Sequence, residues 1–434
     1  MRISTFVNRR VGILLAVGLA IATVCLAPEL LTRYQLHRAQ TAYEQREWNL
    51  ARQWLQSAAE QDPTRAETQF LLARVCRKLA RPSHVTVHLD RARELGFPEM
   101  KLQREWWLMM AQAGQLLQVE HRLAGLLSEA DQDGPEICEA FVNGYCLNLR
   151  FREALMLIAA WEADWPESAE PHYQRGNLWF SRSVWRDAEQ AFRQTLVIED
   201  RFDARHKLAQ CLLQQHRTDQ AESEFRVCLS SRPQHIPSLI GLGNCLTGSM
   251  RLDEARGLFK QVVALDADHF EARRVLGQLA LSDNQPRDAL RWLQPLADKW
   301  PEDWSIAYLT AQAFRDTGEQ DEASRRFEMM RRAEASLDRL EELVEQIEQT
   351  PLDVEKRYQI GDMVLRFRSR KEGVAWLKSA LLIDPTHQPA RHALAQYYAA
   401  IGDEQLAKHY RTNSASGSHG NRASQDDSKE NAPQ

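Results

Sequence analysis

Glycine (19) and proline (16) together supply only about 8 % of the 434 residues, against roughly 12 % in average proteins. So few chain breakers exclude folds that need many tight turns, such as all-β sandwiches and dinucleotide-binding α/β enzymes. The chain also lacks a dominant charge. Its 55 basic and 60 acidic side chains leave a formal net charge of −5, which gives none of the basic stripe a nucleic-acid binder needs. Catalytic signatures are missing as well: the sequence has no HExxH, no GxSxG, no P-loop lysine and no paired CxxC. Apolar residues at 44 % exclude disorder over the whole length. An all-α protein without chemistry of its own, and with no cofactor, is the class left.

One long apolar run is present. Val11 to Ala27 carries almost no polar side chain and is preceded by Arg2, Arg9 and Arg10. With Pro28 to Leu31 it reaches the roughly 20 residues of a membrane-spanning helix. Residues 1–10 then form a short basic tail and 11–31 a transmembrane signal anchor. The competing reading is a cleaved signal peptide, whose small-residue exit at Ala20-Ile21-Ala22 falls inside the apolar run. The arginines on the two sides of the run roughly balance (Arg33, Arg38 and Arg46 follow it). A long downstream body can translocate regardless of such charges, so the body is expected on the periplasmic, extracytoplasmic side, with an intracellular body as the alternative.

What the chain has in abundance is repetition. Alanine recurs at 154, 188, 221, 255, 289 and 323, in steps of 34 or 33 residues. A large apolar residue stands four positions after each: Ile158, Phe192, Phe225, Phe259, Leu293 and Phe327. Twelve positions before each stands Val142, Gly176, Ala209, Gly243, Gly277 or Ala311. Helix-ending signals follow several of them, as at Trp165-Pro166, Arg232-Pro233 and Trp300-Pro301. The physical template is a pair of antiparallel helices. Where they cross closely only a small side chain fits, and the large residue fills the space beside the crossing. Proline then prevents the second helix from continuing.

This pattern resembles the tetratricopeptide repeat family. Repeats begin near residues 32, 66, 100, 135, 169, 202, 236, 270, 304, 354 and 388, with a large apolar residue at or next to repeat position 24 in each, including Leu89, Leu123 and Tyr410. The resemblance implies a right-handed superhelical solenoid of about eleven helix-turn-helix units: repeats 1–9 over 32–337 and repeats 10–11 over 354–412. The third repeat departs from the family, with Trp107 at a small-residue position and Val119 in place of alanine. That repeat is expected to be distorted or to have adapted its packing. Residues 338–353 interrupt the array. The 3-4-3 spacing of Leu337, Leu340, Val344 and Ile347 extends the preceding helix, making this segment a helical spacer that reads as a tolerated insertion. Residues 413–434 contain no large apolar side chain and read as a disordered tail.

Other residue clusters have ordinary explanations. Gly241-Leu242-Gly243 belongs to the repeat pattern, with no strand before it to make a nucleotide loop. His84 and His88 are four apart but have no third ligand nearby, so no metal is expected. Cys211, Cys228 and Cys245 are spaced at half a repeat, as buried small residues would be, and are expected as free thiols. Trp48 and Trp185 sit where an aromatic packs between paired helices, and Trp300 and Trp304 flank a repeat junction where core packing is expected before ligand stacking.

In the family that the chain resembles, first helices line a concave groove and repeat position 9 faces it. That position reads Gln40, Arg74, Leu108, Asn143, Asn177, Gln210, Asn244, Gln278, Gln312, Asp362 and Gln396. Eight of these eleven are side-chain amides, against about one residue in ten in the whole chain. An amide both donates and accepts, so it can pair with a peptide N–H and C=O together. Tyr173, Lys207, Arg274 and Tyr308 are further groove candidates. Position 5 reads Glu139, Tyr173, His206, Ile240 and Arg274, which does not match the clamp for chaperone carboxyl termini. The expected function is therefore a membrane-anchored protein–protein interaction scaffold for partner proteins or extended peptide segments. The alternative is an accessory or regulatory subunit of an envelope enzyme complex, such as one for polysaccharide synthesis or export.

Overall fold

The computed structural model describes residues 29–129 and 133–412. The expected basic tail, nearly all of the expected anchor (11–28 of 11–31) and the expected tail 413–434 lie outside the described residues. Among the described residues there is no strand, and no helix is long and apolar enough to cross a membrane. The chain divides into two compact units at Gly144 and Tyr145.

The first unit contains α1 (29–44), α2 (Trp48–Gln61), α3 (Ala66–Lys78), α4 (Pro82–Glu94) and α5 (Glu99–Gln112). The partner of α5 is broken into α6 (Leu116–Val119), a 3-10 turn (Glu120–Arg122) and α7 (Leu123–Ser128). This is the repeat whose small-residue positions hold Trp107 and Val119, and Val119 is fully buried. Here Trp107 and Val119 replace both small residues of one crossing, and the second helix of this pair is broken. α8 (Gly134–Leu147) runs across the boundary between the units.

The second unit continues with α9 (Phe151–Asp164), α10 (Glu170–Ser181), α11 (Trp185–Ile198), α12 (Phe202–Gln214), α13 (Thr218–Ser231), α14 (Ile236–Gly248) and α15 (Leu252–Leu265). It goes on through α16 (Phe270–Ser282), α17 (Pro286–Lys299), α18 (Trp304–Thr317) and α19 (Gln320–Gln349) to α20 (Val354–Phe367), α21 (Arg370–Ile383), α22 (Gln388–Ala400) and α23 (Glu404–Thr412). From α10 onward each helix packs chiefly on the next in the chain. Beyond chain neighbours, α12 approaches α14 and α16 approaches α18. These are first members of their pairs, so the first helices form the tighter, inner side of the stack.

The close crossings follow the small-then-large template. A Cβ added to Gly243 would lie 2.7 Å from the Phe259 ring, and one on Gly277 would lie 2.5 Å from Leu293. The alanines at 154, 188, 221, 255 and 289 are fully buried. Each turn inside a pair reverses direction through one left-handed residue: Arg46, Ala80, Gly114, Leu149, Ser183, His216, Met250, Asn284 and Gly318, and finally Gly402. The α20–α21 turn differs, since Arg368 has φ −127°.

α19 is a single helix of 30 residues. Its first part packs on α18, and its far end, through Leu340, Leu343 and Ile347, packs with Ile360 and Val364 of α20.

Candidate binding groove

The inner helices of the first unit are tied together by charge. Arg77 on α3 is buried, its side chain only 1 % exposed. Its Nε donates to Glu105 Oε1 on α5 at 2.5 Å, and its Nη2 donates to Glu136 Oε2 on α8 at 2.6 Å. Arg74 also reaches Glu136 at 2.6 Å, and Lys78 reaches Glu139 at 2.5 Å. The Tyr43 hydroxyl on α1 donates to Glu136. Burial alone would raise the Glu136 carboxyl, but Arg77, Lys78 and Arg74 outweigh it and hold it well below the usual carboxylate range. Three cations and three carboxylates thus neutralise one another across α3, α5 and α8. Of the expected groove residues Asn143 falls in this unit, half-buried.

The inner wall of the second unit has another character. Asn177, Gln210, Asn244, Gln278 and Gln312 stand on α10, α12, α14, α16 and α18, one per inner helix. Asn177 accepts from the Lys207 ammonium, Asn244 Nδ2 donates to Glu271 at 3.1 Å, and Gln312 Nε2 donates to Tyr308 Oη at 2.8 Å. The side-chain amides of Gln210 and Gln278 make no hydrogen bond within the described residues, and Gln278 is exposed. Tyr173 is buried beneath the Arg201 guanidinium, which lies 3.5 Å from the ring centre. Lys207 lies 5.5 Å from the Tyr173 and Phe180 rings, and burial pushes its ammonium down to about 8. Arg274 is half-buried and Tyr308 is 39 % exposed. The structure thus presents an amide-bearing wall with an aromatic and cationic end near α10 and α12.

The histidines at helix starts hold backbone. His235, His269 and His387 are N-caps, and their Nδ1 atoms accept from the amides of Ser238, Ala272 and Ala390 at 3.3, 3.4 and 3.3 Å. His84 and His88 belong to no group of three or more metal-ligating side chains among the described residues.

One constellation carries no sequence signal. Asp303, 1 % exposed, caps α18 by accepting from the Ile306 amide at 2.9 Å, and its second oxygen accepts from Arg370 at the start of α21. The Arg370 guanidinium lies over Phe270 (4.3 Å) and Trp300 (4.9 Å). Arg366 at the end of α20 makes two bonds to Glu302, at 2.7 and 2.9 Å. Tyr397 of α22 packs on Trp300 with ring centres 5.8 Å apart. At the other end of α20, buried Arg357 donates to the Leu147 carbonyl at 2.6 Å and lies over Trp376. The partners are 64 to 210 residues apart in sequence, and only the unusual length of α19 hints at the arrangement.

Among curated proteins, none matches the sequence. Three similar solved structures are yeast Tom70 (12 % identity, TM-score 0.36, covering 88 % of this chain and 91 % of that one), the C-terminal part of a tetratricopeptide-repeat protein from Cytophaga hutchinsonii (14 %, 0.39, 58 % and 98 %), and YrrB, described as a tetratricopeptide-repeat protein with an unusual peptide-binding site (20 %, 0.31, 48 % and 98 %). The family model for the tetratricopeptide repeat matches residues 212–279 and 246–312, the region where the amide-bearing helices α14 and α16 lie. Over residues 212–312 the chain is therefore similar to tetratricopeptide repeats.

Proposed function

We propose that the chain is a scaffold that holds a partner polypeptide against the inner wall of its second unit, anchored to a membrane through residues 11–31 with its body on the extracytoplasmic side. The observation that carries this reading is the run of side-chain amides, one on each of five successive inner helices. Packed helices lie about 8–10 Å apart and an extended chain advances about 3.3 Å per residue. An amide on each helix then meets roughly every third peptide unit, which favours binding by backbone and tolerance of sequence. Burial raises the Cys211 and Cys245 thiols to about 12 and lowers the His206 imidazole to about 4. Both shifts run opposite to the activation of a nucleophile or a general base at neutral pH, in keeping with a scaffold.

The test is crosslinking and affinity capture from native membranes, read by mass spectrometry, with the parent chain and a Gln210→Ala, Asn244→Ala, Gln278→Ala variant. Asn177 stays in place because it holds the half-buried Lys207. The variant should lose most of the captured partner, with helicity and melting unchanged. Equal capture by the variant would remove the groove reading.

A further inference from the structure

The contacts of α20 and α21 fall at the edge of the inner wall. α20 is 14 residues long, or about 21 Å at 1.5 Å per residue. Its first turn holds the last carbonyl of α8 through Arg357, and its last turn holds Glu302 before α18 through Arg366. Arg370, three residues beyond, reaches Phe270 at the start of α16 as well as Asp303. Lys371 comes close enough to α12 for its charge to act on His206 and Lys207. The turn therefore fastens at the starts of α16 and α18, on the edge of the inner stack.

The fastening is built for recognition rather than for maximum stability. Asp303 between Phe270 and Trp300 forms a pocket for a guanidinium: one carboxylate oxygen and two aromatic rings. Arg370 fills it incompletely, since its Nε and Nη2 are buried without a hydrogen-bond partner. Buried ion pairs with unsatisfied donors contribute little net stability, because desolvation offsets the attraction. The neighbouring Arg366–Glu302 pair is about half exposed on both sides and is weak for that reason. The α20–α21 turn is also the one that departs from the left-handed turn shared by the other pairs described above.

We propose that residues 354–412 are a displaceable segment at the edge of the inner wall, latched by Arg370 in the Asp303–Phe270–Trp300 pocket and by Arg366 on Glu302, and that this pocket is an arginine-recognition site open to a partner helix once the latch lets go. The consequence for partner binding rests on the groove reading above. The opening itself does not, and it is measured separately.

Two measurements on the full chain test it. Spin labels on cysteines placed at the exposed positions Gln278 and Lys371 report whether the segment is seated. The parent should give one narrow distance, Arg366→Glu/Arg370→Glu a longer and broader one, and the exchanged pair Glu302→Arg/Arg366→Glu a narrow one again. An unchanged distance in a folded Arg366→Glu/Arg370→Glu variant would overturn the proposal. Should that variant fail to fold, native-state hydrogen exchange on the parent decides. Amides of α20–α22 should open as one group roughly 100-fold more often than those of α12–α14. Opening of both groups only together would make residues 354–412 a fixed part of the core and end the proposal. Release without any change in partner capture would leave the latch standing and count against the groove alone.

Discussion

The two units solve the same packing problem with opposite chemistry on their inner helices. In the first, α3, α5 and α8 are joined by buried arginine–carboxylate pairs. In the second, each inner helix carries a side-chain amide, and charged pairs such as Arg201–Glu170 and Arg370–Asp303 sit at helix ends. A charge network leaves little unmet hydrogen-bonding capacity, whereas Gln210 and Gln278 offer free amides. The difference separates a region that spends its polar groups on itself from one that keeps them for something else.

The sharpest way to break that comparison is to remove the centre of the network. Arg77→Met should destabilise the first unit by about 3–5 kcal/mol, because Glu105, with its side chain 4 % exposed, is left charged and buried without its main partner. Hydrogen exchange resolved by segment should show lost protection in α3, α5 and α8 with α12–α16 unchanged. Loss below about 1 kcal/mol would mean that water already reaches the pair.

The repeat geometry is legible in the sequence because it is local. Gly243 and Phe259 are 16 residues apart, a separation that one helix pair determines, and a Cβ on the glycine would strike the ring. The break after α5 is legible for the same reason, in Trp107 and Val119. The charge network is less so: Tyr43 and Glu136 meet across 93 residues, and the match depends on how three pairs accumulate curvature. The latch is least legible. Asp303 and Arg370 are 67 residues apart, and only the length of α19 decides which side of the stack α20 faces. Within the candidate groove, the one-amide-per-helix register is visible in the sequence. The pairing of Asn177 with Lys207 and the burial of Tyr173 depend on neighbouring repeats and are not.

Acid should separate the units in a second way. His235 Nδ1 accepts from the Ser238 amide, so it carries no proton there, and His206 and His235 both contact the Ser238 hydroxyl, at 3.1 and 2.8 Å. Burial, together with His235 and Lys371, lowers the His206 imidazole from 6.5 to about 4, with Asp203 opposing. Burial and Arg232 lower that of His235, and Asp203 opposes there too. A lowered folded-state pKa means that the unfolded chain binds more protons in this window, so stability falls as pH falls. The second unit should weaken between about pH 6.5 and 4. The first also holds His84 and His88, lowered by burial, so it should weaken in the same direction, but its main charged group, Glu136, is lost only as pH drops below about 4.5. Opening free energies of α12–α14 and of α3–α5, measured across that range, should diverge, and His206→Gln should reduce the divergence. Parallel loss in both units would sink the assignment.

The smallest expected effect tests the turns. Both units mix glycine and L residues in these left-handed turns: Arg46, Ala80 and Gly114 in the first, and Leu149, Ser183, His216, Met250 and Asn284 beside Gly318 and Gly402 in the second. An L side chain there costs roughly 1–2 kcal/mol, and the greater freedom of glycine in the unfolded chain takes back about 0.5–1. Met250, at φ 59° and 76 % exposed, gives up little packing on truncation. Met250→Gly should therefore stabilise the second unit by about 0.5–1 kcal/mol, and Gly114→Ala should weaken the first by a similar amount, both read from urea midpoints. If Met250→Gly instead destabilises, the Met250 side chain holds a contact worth more than the strain. The five non-glycine turns would then be stabilising features of the second unit rather than tolerated ones.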